Sequence, residues 1–213
     1  MYLTDSTGYL PELAHYIEKI IEGYNQEFGS WREQLEKKTP FPGATSNDQE
    51  EWDAWGASDG QFLTRDFPRR LRYDFVITTY TVWFGKLDLL CSLAAKKLHL
   101  EYVRVLRKEL ENAQIFLEKY VKLKPLAEVH WTEFTLVRDL RNELIHQNGF
   151  ISDDLRKRLE QRENDWANVV TKKEAVGEFL SYGPNGQVTV HASYCQLILG
   201  HKESFFRAIY EID

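Results

Sequence analysis

The sequence predicts an all-α protein, an antiparallel bundle of five or six helices with one small β-hairpin before the last helix. Three observations lead there. Long stretches repeat their apolar residues every three or four positions, the spacing of a helix with one buried face. Breaks containing Gly, Pro and Asn separate these stretches and turn the chain back. Period-two alternation replaces the helical spacing near residues 178–191, around Pro184, Asn185 and Gly186.

Each element has its own signature. The first helix is predicted over Tyr9–Phe28, where Leu13, Ile17, Ile20, Ile21 and Tyr24 share a face and Pro11 sits in the first turn. The stretch Trp31–Lys38 extends or follows it. Residues 39–62, rich in Gly, Pro, Ser and Asp, read as a long loop that Trp52 and Trp55 pack onto the body. From Arg69 to about Leu98 the chain is apolar nearly all round in its middle, as a central buried helix must be. Leu100–Val121 is amphipathic, with Val103, Leu106, Leu110, Ile115 and Leu117 inward. Pro125 breaks the pattern, His130 or Thr132 leads into the next helix, and Gly149 ends it with a left-handed cap. Ser152 caps a further helix whose dipole meets Asp153 and Asp154. After the hairpin, Ser193–Ile212 closes the chain as an amphipathic helix.

A chain of 213 residues with 43% hydrophobic and 28% charged side chains is globular rather than disordered and is expected to form one domain, 1–213. No targeting signal or membrane-length apolar run stands out, and Cys91 and Cys195 read as reduced core thiols, so a cytoplasmic protein is expected. Residues 1–60 carry 4 basic and 12 acidic side chains, whereas residues 61–150 carry 15 and 11. With a net charge of −6 the chain is ill suited to non-specific duplex binding, but a small local anionic target is open to it.

The informative stretch is "VRDLRNELIHQNG", residues 137–149. At about 100° per residue, Phe134, Leu136, Val137, Leu140, Leu144 and Ile145 form one apolar arc, and Thr135, Arg138, Asp139, Asn142, Glu143 and His146 form the opposite one. Arg141 falls inside the apolar arc, between Val137 and Phe134. A guanidinium there needs a carboxylate, a neighbouring subunit or an anionic ligand.

The spacing Arg141-Asn142-x-x-x-His146 resembles the signature of the HEPN-domain ribonucleases, whose fold is an antiparallel helical bundle. The resemblance implies a metal-independent endoribonuclease that needs no cofactor. In such an enzyme the RNA's own 2′-hydroxyl attacks the adjacent phosphodiester and leaves a 2′,3′-cyclic phosphate. His146 would move the protons, Arg141 would stabilise the phosphorane charge and Asn142 would orient the imidazole or the RNA. Arg138, Gln147 and Asn148 are candidate auxiliary RNA contacts. The family context further implies a toxin or anti-phage defence role, with an antitoxin or regulatory partner. Some HEPN toxins carry a tyrosine two positions after the histidine, where a nucleotidyltransferase silences them. Here that position is Asn148, which departs from that mode of control.

Five residues separate Arg141 from His146, so on an ideal helix they diverge by about 140°. The family meets this difficulty by dimerising, and a homodimer with the site at its interface is expected. Two other readings remain open: a HEPN-like domain that binds a nucleotide, RNA or protein without cleaving, and a structural module in which Arg141 pairs with a buried carboxylate of its own chain. The arginines of "RDFPRRLRYD", residues 65–74, read as an ordinary charged helix start. His15, His99, His130, His191 and His201 show no ligand spacing, so no metal site is expected.

Overall fold

The structure, a computed structural model, describes residues 9–37, 60–102, 108–123, 126–169 and 179–210. Among these residues there are six helices: α1 (Tyr9–Lys37), α2 (Phe67–Leu98), α3 (Glu109–Ile115), α4 (Glu128–His146), α5 (Asp153–Val169) and α6 (Ala192–Tyr210). Before α6, β1 (Leu180–Tyr182) and β2 (Val188–Val190) form an antiparallel hairpin in which Ser181 faces Thr189. The all-α bundle with one hairpin is therefore the architecture.

The bundle is organised around α2, which packs against α1, α3, α4 and α6. Fully buried Trp83 stacks on Phe134 of α4 with ring centroids 4.1 Å apart, and Phe205 of α6 meets both rings edge-on. Such aromatic packing contributes beyond its buried area. Side-chain pairs fix the directions of the helices. Glu18 with Arg72 and Tyr24 with Phe67 set α1 antiparallel to α2. Trp83 with Phe134 and Tyr80 with Arg141 do the same for α4. Asp139 with Arg158 and Glu133 with Arg162 turn α5 back along α4.

Several boundaries differ from the sequence expectation. α1 runs on through residues 31–37, and its buried face is Leu10, Ala14, Ile17 and Ile21. Ile20 and Tyr24, both 39% exposed, lie about 60° further round the wheel. The long loop is shorter at its end, because Gly60–Phe62 are already helical and a π-type turn over Phe62–Asp66 feeds α2. Trp52 and Trp55 lie outside the described residues. The helix expected over Leu100–Val121 is also shorter. α2 stops at His99, which is left-handed at φ 53; Leu100–Tyr102 and Lys108 are not helical, and α3 begins at Glu109. Val103, Leu106 and Pro125 lie outside the described residues. Leu110 and Leu117 are buried as expected, but Ile115, five residues and about 140° round the wheel from Leu110, is exposed, and Phe116, where a π-type turn over Phe116–Tyr120 begins, is buried. α4 starts at Glu128, because the apolar repeat already begins at buried Trp131.

The end of α4 is tightly built. Asn148 (φ 51) and Gly149 (φ 83) are left-handed, and the Gln147 amide closes the helix on the Glu143 carbonyl at 2.9 Å. The Glu143 carboxylate accepts from the Ser152 amide at 2.6 Å and the Ser152 hydroxyl at 2.8 Å, and that hydroxyl accepts from the Leu155 amide at 3.4 Å as the cap of α5. The Val188 amide donates to the Gly149 carbonyl at 2.9 Å, which docks the hairpin on this corner. A Cβ at Gly149 would lie 2.6 Å from Tyr73 Cε2 and closer still to the hydroxyl that Tyr73 donates to the Val188 carbonyl. Gly149→Ala is expected to cost about 2–3 kcal/mol, from left-handed strain plus overpacking. A urea unfolding midpoint within error of wild type would rule this out.

Cys91 and Cys195 are free and buried. No helix among the described residues is long and apolar enough to cross a membrane.

Candidate functional site

All three motif residues ride on α4, and the way this helix leaves the bundle explains the position of Arg141. Toward its N-terminal half the apolar arc is buried out to Phe134, which has no exposure, whereas Ile145, near the C-terminal end of the same arc, is 41% exposed. Arg141 lies between them, at the rim. Its side chain is half-buried and Nη1 donates to Asn142 Oδ1 at 2.9 Å. The guanidinium carbon stands 5.8 Å from the centroid of the Tyr80 ring of α2, within cation–π range. Arg141 Nε is buried with no hydrogen-bond partner. Leaving such a donor unsatisfied costs about 1–3 kcal/mol, which the Tyr80 ring offsets in part. No ion pair joins Arg141 to a carboxylate among the described residues, so the counter-ion that an architectural role calls for is not seen.

Asn142 is half-buried beside it. His146, the last residue of α4, is exposed and makes no hydrogen bond or ion pair with Arg141 or Asn142 among the described residues. The structure thus brings Arg141 and Asn142 together and leaves His146 apart from them, as the helical divergence requires. Of the auxiliary candidates, Gln147 and Asn148 are exposed, and the Asn148 carbonyl accepts from Gln187 Nε2 at 3.2 Å. Arg138 is committed within the chain, to Glu111 at 2.9 Å and Asp139 at 3.0 Å, and Asp139 also holds Arg158 at 2.9 Å.

The arginines at the start of α2 are engaged as well. Arg65 and Arg69 both reach Asp66, and Arg72 forks onto Glu18 at 2.9 and 2.7 Å. The surface groove between α1 and α2, lined by Glu18, Ile21, Glu22, Asn25, Gln26 and Arg72, contains no motif residue.

Sequence reasoning missed two features. Tyr80 lies against Arg141 from a different helix, and no spacing within α4 announces it. The second is a buried polar cluster further along the same helix. Glu133, 3% exposed, accepts from Arg162 through Nε at 2.9 Å and through Nη2, and from Trp166 Nε1 at 3.1 Å. His201 Nε2 stands 3.6 Å from the same carboxylate. Burial pushes the His201 imidazole below its ordinary 6.5. Glu133 pulls the other way, and Arg162 and His130 add to the lowering. A folded-state value below the unfolded one means the folded protein binds fewer protons. Stability is then complete above about pH 6.5 and falls as pH drops below it. Between pH 7 and 5.5, wild type is expected to lose up to about 1 kcal/mol that His201→Gln does not lose. Parallel slopes in urea titrations of the two proteins would remove this assignment.

Compared with protein-family models, curated proteins and solved structures, the chain matches none.

Proposed function

We propose that the chain is a metal-independent endoribonuclease of HEPN type, acting on RNA as a homodimer in the cytoplasm, in a toxin or anti-phage defence setting. The observation that carries this reading is Arg141: a permanently charged fork held at the rim of the bundle by Asn142 and Tyr80, with no carboxylate paired to it among the described residues. An anionic phosphodiester supplies the missing charge. The helical order of the bundle and the motif spacing agree with the family the sequence resembles.

In the proposed reaction the 2′-hydroxyl of one nucleotide attacks its own 3′-phosphorus. The oxygen–phosphorus bond to the next nucleotide breaks, leaving a 2′,3′-cyclic phosphate and a 5′-hydroxyl. Arg141 stabilises the charge on the phosphorane oxygens. His146 supplies the proton transfer, for which an exposed imidazole near neutral pH is suited. Since His146 and Arg141 diverge along one helix, a second copy of the motif completes the site, and two facing histidines divide the acid and base roles. Exposed Gln147 and Asn148 extend the RNA contact, whereas Arg138 stays with its carboxylates. Control by an antitoxin or other regulatory partner fits this setting.

A second reading is a HEPN-like domain that binds a nucleotide, RNA or protein partner without cleaving. The separation of His146 from Arg141 and Asn142 within one protomer favours it. The deciding experiment incubates the protein with a structured RNA in EDTA and maps the ends. Cyclic-phosphate and 5′-hydroxyl ends from a dimeric species support the nuclease. Intact RNA bound with a salt-dependent affinity supports the second reading.

A further inference from the structure

Resting on the reading of Arg141 as the phosphate-binding group, we infer that Tyr80 of α2 is the positioning residue of that site, fixing the plane and direction of the Arg141 guanidinium before RNA arrives. An arginine side chain has four rotatable bonds, and a rim position lets it swing into solvent unless something holds it. The partners on α4 are insufficient. Asn142 is the next residue in the chain and takes only one Nη1 hydrogen bond, at 2.9 Å. Among the described residues the remaining restraint is the Tyr80 ring, 5.8 Å from the guanidinium carbon.

That ring cannot move aside. Tyr80 is 7% exposed, lies nearly parallel to Phe84 with centroids 6.1 Å apart, and meets Phe134 edge-on at 5.7 Å. Phe134 is itself stacked on Trp83 in the middle of the core. Arg141 is therefore braced by rings packed into the centre of the core, and its buried Nε follows from lying against an apolar face. The outer edge of the fork is left for a ligand. Burial, with Glu109, pushes the Tyr80 phenol up to about 12 against the opposing pull of Arg138 and Arg141. Tyr80 therefore stays neutral and does not exchange protons with RNA near neutral pH. Its contribution is geometric, and a phenylalanine can supply the same geometry.

The test reads the Arg141 Nε–H resonance directly in the full chain, with Arg141→Lys assigning it. Wild type and Tyr80→Phe should show a proton shifted upfield by the ring and slow to exchange with water, whereas Tyr80→Leu should show an ordinary, fast-exchanging arginine signal. An ordinary signal in wild type overturns the inference even if Tyr80→Leu fails to fold. An unchanged signal in a folded Tyr80→Leu overturns it too. On cleaved RNA, Tyr80→Leu should lower kcat about 10- to 100-fold with little change in KM, and Tyr80→Phe should restore it. Wild-type kcat in a Tyr80→Leu protein that has lost the shifted resonance ends the positioning role. Wild-type cleavage by Arg141→Ala instead ends the reading of Arg141 as the phosphate-binding group, and intact RNA with the wild type ends the nuclease reading, so the ideas fail separately.

Discussion

Glu133→Ala is expected to destabilise the fold by about 3–5 kcal/mol, the range for removing one member of a buried ion pair. The carboxylate is 3% exposed, accepts hydrogen bonds from Arg162 and Trp166 of α5, and has His201 Nε2 of α6 3.6 Å away. Alanine would leave the Trp166 N–H buried without this acceptor and a cation without its counter-charge. The Arg162 side chain is 23% exposed, which lets it turn partly toward solvent and places the cost at the lower end of that range. Glu133→Gln keeps the volume and one acceptor oxygen and should cost about 2 kcal/mol, as for a lost charged hydrogen bond. The double variant Glu133→Leu with Arg162→Leu should cost less than Glu133→Ala, since neither charge is then stranded. Urea unfolding of the four proteins measures this. A Glu133→Ala protein within 1 kcal/mol of wild type would falsify the view of this cluster as the tie between α4, α5 and α6.

How much of this was legible in the sequence depends on the range of the signal. Apolar spacing placed α4 and α6 well, because a helix with one buried face writes its period into its own residues, and a long apolar run placed α2. The cap of α5 and the left-handed end of α4 were equally local: Ser152, Asp153 and Gly149 act within a few positions. The stop of α2 was legible at about Leu98, where it falls, although histidine takes at the cap the left-handed conformation that glycine usually marks. The exposure of Ile115 was legible, since it lies about 140° round the wheel from Leu110, whereas the burial of Phe116, where a wider turn begins, was not.

The two site features show the same division. Arg141 stood out because one wheel placed a charge among apolar residues. The same wheel carried one residue further back puts Glu133 within about 20° of both Leu140 and Leu144, in the middle of the buried arc. That signal was present in the sequence; its partners Arg162, Trp166 and His201, on other helices, were not. Tyr80 was invisible for the stronger reason that its role exists only once α2 and α4 are packed. The sequence also fell short on depth. It put Arg141 in the apolar arc but did not reveal that the arc surfaces at Ile145, and that exit separates a rim arginine from a core one.

This rim position leads to the largest effects expected on activity. Arg141→Ala should lower RNA cleavage about 10²–10³-fold, the loss typical of removing a preorganised charge donor, and His146→Ala about 10²–10⁴-fold, as for a general acid or base. Arg141→Lys should recover little of the loss, because an ammonium lacks the planar fork that meets two phosphate oxygens. Stability should barely change in either variant. His146 is exposed and free of contacts with its motif partners, so its removal should change stability by less than about 0.5 kcal/mol. Among the described residues Arg141→Ala strands no carboxylate, and it removes a buried, unsatisfied Nε, so it should cost less than about 1 kcal/mol despite the half-buried position. An arginine kept for the fold behaves the opposite way, with a large loss of stability and no specific loss of cleavage. Measuring both quantities on the same preparations therefore separates the readings. Loss of cleavage in both variants at unchanged unfolding midpoints supports the nuclease. Loss in Arg141→Ala alone leaves phosphate binding without catalysis by His146. A collapse of stability in Arg141→Ala would mean that the core, rather than an RNA, depends on this guanidinium.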